Sequence, residues 1–188
     1  MATSATGGYL SPELSSTSIM DVGLINIIHN WLSGVSGLPL VLVRPRWQPE
    51  PPTLPGATIT WMAFGIDHLP SDTFPSVTHY GEEGGYSIVG RQEHIQVSVT
   101  TYGPEAQEKM GLLRDGMVIS QNRDYLQAQG LEVLNSGTIV FLPELVKNIW
   151  LYRTDMRVVL CRRISNRYPI LNMQSITPPI LFPDRTFL

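Results

Sequence analysis

The side chains with catalytic or ligating chemistry are few, and their spacing builds no familiar site. The four histidines are His29, His68, His79 and His94. None falls in an HxxxH or HExxH pattern, so metalloprotease chemistry has no support. His79 with Glu82 and Glu83 comes nearest to a metal-ligand cluster, but its loop setting reads as a solvated turn. Asp67, His68 and Ser71 have the residue types of a catalytic triad, yet neighbours along a chain do not have triad geometry. No GxSxG elbow occurs. The segment from Gly81 to Gly85 is glycine-rich but acidic and lacks a following Lys-Ser/Thr, so it does not cradle phosphate and reads as a hairpin tip. Cys161, the single cysteine, lies in an apolar run and reads as a small buried hydrophobe. These residues assign no enzyme activity, no metal and no cofactor.

One charge feature stands out. Arg153, Arg157, Arg162, Arg163 and Arg167 fall within fifteen residues on a predicted strand and its continuation. Alternation puts Arg157 and Arg163 on one face and Arg162 on the other. Two readings stay open: ion pairs to Asp155, Glu105, Glu108 or other acids, or docking onto an acidic partner or lining a passage for DNA. Aromatic residues are not interleaved, which argues against a base-stacking nucleic-acid domain.

The elements that carry these residues centre on Gln92 to Val118. Ile95, Val97 and Val99 alternate with Gln96, Ser98 and Thr100, which predicts a half-buried strand. Gly103 makes a turn and Pro104 suits the first helical position. Ala106, Met110, Leu113 and Met117 then form one apolar helical stripe. An earlier helix is expected over 19–33, with Leu24, Ile27, Ile28 and Trp31 buried, Val35 just past its end and Gly34 as its stop. Strands are expected at 38–43, 57–66, 86–89, 131–134, 138–142, 151–164 and 168–176, with a short helical segment from an Asn122 cap to Gly130. Residues 143–148 read as a connector. Residues 45–56 hold five prolines and must be extended and irregular; 67–86 reads as a loop. The predicted class is α+β: a mixed, mainly antiparallel sheet with two main helices packed on it, plus extended arms. Residues 1–17 read as a mobile N-terminal arm, 18–176 as one domain with extended loops at 45–56 and 67–86, and 177–188 as an extended apolar tail.

Composition agrees with an assembly protein. Only 15% of the 188 residues are charged, against about 25% in ordinary soluble domains. Charge is depleted at interface cores, so burial against other subunits is one reading of so neutral a surface, and compositional drift in a monomer is the other. The net charge of −3 gives no bulk attraction to nucleic acid or anionic membrane. No basic leader precedes an apolar run at the N-terminus, and no window reaches the roughly 18 apolar residues of a membrane span.

The unit VSVTTYGPEAQEKMGLLRDG, followed by QNRDYLQAQGLEVL and PELVKNIWLYRTDMRVVLCRRIS, resembles the phage neck or tail terminator family. LVLVRPRWQPEPP, between the first helix and a strand, resembles that family's N-terminal half. The resemblance spans about residues 20–176. It implies a structural virion protein of the tail or neck, assembled in the host cytoplasm. Such a protein is a homohexameric ring that caps the tail tube, ends its polymerisation and joins the tail to the head-completion proteins. The partners implied are further copies of the chain, the tail tube protein and a head-completion or neck protein, with the sheath protein added in a contractile tail; DNA is only passing cargo. Another head–tail connector or a baseplate component is the alternative, and a small enzyme using His79 or His94 is the reading least supported. Candidate subunit or partner contacts are Tyr9, Leu10, Trp47, Pro51, Phe74, Phe182 and Leu188. Candidate lumen or docking arginines are Arg153, Arg157 and Arg163.

Overall fold

Two 17-residue strands run antiparallel along their whole length and form the spine of the fold. The computed structural model describes residues 9–15, 22–50, 52–81, 85–146 and 148–170. In chain order the strands are β1 (Leu14–Ser15), β2 (Val43–Pro45), β3 (Trp61–Leu69), β4 (Ser76–Tyr80), β5 (Tyr86–Tyr102), β6 (Leu131–Ser136), β7 (Val140–Phe141), β8 (Glu144–Val146), β9 (Ile149–Leu151) and β10 (Arg153–Pro169). The helices are α1 (Val22–Ser36), α2 (Ala106–Gly116) and α3 (Ser120–Gln127), with a 3-10 turn at Leu40–Leu42.

The β5–β10 ribbon is flanked by short strands. β3 and then β4 line the free edge of β5, while β7, β6 and β1 line that of β10. β2 adds to β3 as the parallel pair. β8 and β9 form a separate hairpin. Among the described residues the fold is therefore α+β, with three helices on a mixed, mainly antiparallel sheet and no closed barrel.

Period-two patterning decides which face of the ribbon is buried. Thr154, Met156, Val158, Leu160, Arg162 and Ile164 of β10 all point to the helix side and are buried. Their partners Val99, Val97 and Ile95 in β5 do the same. Against them lie Leu24, Ile27, Ile28, Trp31 and Leu32 of α1, and Ala106, Met110 and Leu113 of α2, with Met117 just beyond it. Each such side chain contributes about 1.5–3 kcal/mol by leaving water. The indole N–H of Trp31 donates to the carbonyl of Asn122 at 2.9 Å, which ties α1 to α3.

Several sequence expectations are corrected. Helix α1 does not stop at Gly34, and Val35 lies inside it. Gly34 costs the helix only about 1 kcal/mol relative to Ala, which tertiary packing outweighs. The true stop is Gly37, at φ 69°, whose N–H donates to the Ser33 carbonyl at 3.1 Å. Residues 18–21, where the helix was expected to begin, lie outside the described residues. The apolar run 38–43 is mostly the 3-10 turn that follows Pro39, not a strand. The expected loop 67–86 contains the end of β3 and all of β4, whose SVTHY is exposed throughout and so lacks an apolar face to betray it. Tyr86–Tyr102 is one strand without a break at Gly90. Asn122 does not cap α3 but lies inside it, donating from Nδ2 to the Gly116 carbonyl at 3.0 Å. The strands expected at 131–134 and 138–142 are β6 and β7, and both pair with β10, one after the other. The connector 143–148 lies largely within the β8–β9 hairpin. Tyr168 lies within β10, which ends at Pro169, instead of starting a further strand, and 171–176 lie outside the described residues.

Candidate assembly surface

The sheet face away from the helices is the candidate surface. Its rows read across β3, β5 and β10: Trp61, Tyr102 and Arg153; Ala63, Thr100 and Asp155; Gly65, Ser98 and Arg157; Asp67, Gln96 and Val159; Leu69, His94 and Cys161. Polar groups dominate towards the middle, and aromatics gather at one end, where Trp61 and Tyr102 stack at 4.6 Å.

That aromatic end is roofed by the proline-rich segment, for a topological reason. Parallel neighbours β2 and β3 need a crossover of about a dozen residues or more. Here residues 46–60 supply it without a helix. The Arg46 N–H donates to the Phe64 carbonyl at 2.7 Å, and its guanidinium donates to Thr100 Oγ1. Arg44 donates to the carbonyls of Val41 and Thr53, at 3.3 and 2.5 Å. Trp47, held at φ 57°, lays its indole on Gly65, where an added Cβ would stand 2.6 Å from the ring. Trp47 as a whole nevertheless stays 70% exposed. Opposite the segment stands the β8–β9 hairpin, and together they enclose a cleft of about 540 Å³ over Trp61, Ala63 and Tyr102.

The hairpin has two distinct faces. Glu144, Val146 and Leu151 turn inward and line the cleft. Leu145 and Trp150 face each other across the outer side, 56% and 64% exposed. Phe141 and Tyr152 extend this apolar patch, their rings 5.9 Å apart. A two-stranded hairpin is marginal in water, and Arg153 helps to anchor this one by donating to Glu144 and, at 2.7 and 3.0 Å, to Asp155.

Burial raises the Asp155 carboxyl pKa, but hydrogen bonds from Arg153 and Thr100, with the Arg153 and Arg46 charges, outweigh it and leave it below its ordinary value. A carboxyl depressed in the fold contributes stability that is whole above the unfolded value near 3.8 and is lost as pH falls through the folded value. Urea midpoints measured from pH 6 to pH 2 should therefore fall less steeply for Asp155→Asn than for the unaltered chain, with the difference opening below about pH 4. Parallel curves would contradict this.

The arginines divide. Arg153 is ion-paired as described, and Arg162 is buried against Glu93 on the helix side, at 2.9 and 3.1 Å. Arg167 lies 3.8 Å over the Tyr86 ring and 3.4 Å from Glu13. Arg157 and Arg163 are exposed on the open face, without a carboxylate in ion-pair range among the described residues. Glu105 pairs instead with Lys109 at 3.8 Å. Of the other candidate contacts, Tyr9 and Phe74 are 96% and 89% exposed, and Leu10 is half-buried. Pro51, Phe182 and Leu188 lie outside the described residues.

The residues considered for chemistry do not converge. Asp67 points to the open face, where it accepts a hydrogen bond from Ser98 Oγ at 3.3 Å. His68, next along β3, points to the other face, so the two cannot act together. His79 Nδ1 is 3.3 Å from Ser87 Oγ, and His29 Nε2 is 3.0 Å from the Leu40 carbonyl. No group of three metal-ligating side chains occurs among the described residues, which exclude Glu82 and Glu83. Burial and the nearby Glu132 push the Cys161 thiol up, away from thiolate reactivity.

The apolar outer face of the β8–β9 hairpin escaped sequence reasoning. Its signal was present as Leu145-Val146 and Ile149-Trp150 on either side of Asn148, which stands at φ 61°.

The open sheet thus carries an aromatic cleft and an exposed apolar hairpin. The family model for phage neck terminator proteins matches residues 23–183, so the chain belongs to that family and is a structural component of the phage neck or tail. The match extends past residue 176, so it takes in part of the C-terminal tail. No curated protein matches the chain.

Proposed function

We propose that the chain is a non-enzymatic ring protein, a homohexamer that caps the finished tail tube, ends its polymerisation and joins the tail to the head-completion proteins. The family match over 23–183 carries this reading. The low charge and the exposed apolar groups support it. Copies meet through a heterologous interface, in which one patch contacts a different patch on the next subunit and the rotation closes. Trp47, Tyr9, Leu10 and Phe74 are contacts within this arrangement, as are Pro51, Phe182 and Leu188 beyond the described residues. The body 18–176 is one domain, and 1–17 and 177–188 are its arms. Assembly takes place in the host cytoplasm, with the sheath as a further neighbour in a contractile tail.

The function is tested by adding the full chain to purified cognate tail tubes and imaging the ends. Capped tubes that no longer elongate are expected; tubes that keep growing would contradict the reading. The same assay addresses the arginines. Arg157 and Arg163 face the DNA passage in this proposal, while Arg153 serves the fold through Glu144 and Asp155. Arg157→Glu with Arg163→Glu should leave tube capping intact and reduce DNA retention in assembled particles severalfold, read as infectious titre per particle. An unchanged titre would remove the arginines from the lumen, and lost folding would assign them to the scaffold.

A further inference from the structure

We infer that the cleft beneath the proline-rich segment receives the apolar run 178–182, Pro-Pro-Ile-Leu-Phe, of a second copy of the chain. The inference rests on the assembly reading above and names one of its interfaces. The cleft presents Pro45, Trp47, Leu54, Trp61, Tyr102 and Leu151. Aromatic-lined grooves of this kind take extended proline-bearing peptides, which lose little conformational entropy on docking. Arg44 and Arg46 border the same cleft, and neither has a carboxylate in ion-pair range among the described residues. Asp184 follows the apolar run by two residues, with Arg185 beside it, and offers the missing carboxylate.

The chain's path makes the occupant a second copy. Ile170 is fixed at the Tyr86 end of the ribbon, its N–H donating to the Gly85 carbonyl at 2.9 Å. The cleft lies at the Tyr102 end, and the intervening strand measures about 50 Å along its length. The run 178–182 lies 8 to 12 residues beyond Ile170, so even full extension carries it at most about 43 Å. The near edge of its own cleft, where Trp47 lies on Gly65 opposite Ser98, stands about 40 Å away. At full extension only Phe182 comes level with that edge, so the run cannot lie within its own cleft, whereas the cleft of a neighbour is within its reach. The run 178–182 of one copy and the cleft of another form the unlike pair of patches that a closed ring requires.

Disulfide trapping in the full chain tests this, with Cys161→Ser removing the native thiol. Leu181→Cys and Leu54→Cys variants are mixed under mild oxidation and run on non-reducing gels. A second pair, Pro179→Cys with Gln48→Cys, covers an unfavourable geometry at the first. The expected result is a covalent dimer in the mixtures at least tenfold above either variant alone, and a ladder of multimers when both cysteines share one chain. No dimer above the controls from either pair, or closure of the doubly substituted chain on itself, would overturn the inference. Native mass separates this from the ring proposal. A six-fold oligomer that never cross-links overturns the docked tail and leaves the ring standing, whereas cross-linking without six-fold mass supports the docked tail and removes the hexamer.

Discussion

Arg162→Met should destabilise the fold by about 3–5 kcal/mol, the range for removing one member of a buried ion pair. Arg162 and Glu93 lie directly opposite each other in the central ribbon, on the helix side, with side chains only 5% and 10% exposed. Both Nε and Nη2 of the arginine donate to the same carboxylate oxygen. Without Arg162, Glu93 retains Arg91, which is 3.4 Å from Oε1 and half exposed. A carboxylate held in the core with so weak a partner retains most of its desolvation penalty. At about 2–4 °C per kcal/mol for a chain of this size, the melting temperature should drop by roughly 10 °C. Replacing both partners, Glu93→Leu with Arg162→Met, should restore most of the loss, because two apolar side chains need no compensation. A double variant as unstable as the single one would show that other bonds of Arg162 carry the effect. The pair also suits a register pin: slipping the ribbon by one residue would turn Glu93 to the open face, away from Arg162.

Gly103→Ala should be comparably damaging, for a different reason. Gly103 closes the turn from β5 into α2 at φ 105°, a backbone that side chains rarely adopt. An added Cβ would stand 2.6 Å from the Ile59 carbonyl oxygen and 2.7 Å from Thr60 Cα. Both are backbone atoms of the crossover entering β3, so no side chain can swing aside. Its N–H also donates to the Tyr152 carbonyl at 3.0 Å, which fastens the hairpin end of the sheet to the turn. Conformational strain of about 1–2 kcal/mol and overpacking of about 1–3 kcal/mol act together, so a loss of roughly 2–5 kcal/mol is expected in urea unfolding. Gly34→Ala, in an α1 helix with open space at that position, is the control and should be neutral or stabilising. A Gly103 variant as stable as the Gly34 control would contradict the described turn.

These two positions show what was legible in the sequence and what was not. The alternation of Ile95, Val97 and Val99, and the stripe from Ala106 to Met117, are local periodicities, and each marks the buried face of its element in the structure. The turn glycine at 103 was equally visible, because a strand pattern meets a helix pattern there. The Glu93–Arg162 pair was not: its members are separated by 69 positions, and only strand pairing makes them neighbours. The five arginines invited one common explanation, yet alternation and pairing assign them to different environments. β4 was read as loop because an exposed edge strand needs no apolar face, and the strands expected at 131–134 and 138–142 carry no sign in sequence order that both pair with a third strand. The candidate surface was half legible. Prolines announced that residues 45–56 would be irregular, but not that they would serve as the crossover between parallel strands and roof an aromatic cleft.

The ring itself is tested most directly by the mass of the full chain in solution, measured by light scattering on a sizing column, alone and after mixing with cognate tail tubes. The account predicts a particle of six times the 21.0 kDa chain mass, or a monomer that is retained as six copies at each capped tube end. A chain that remains a monomer and leaves the tubes bare would contradict it.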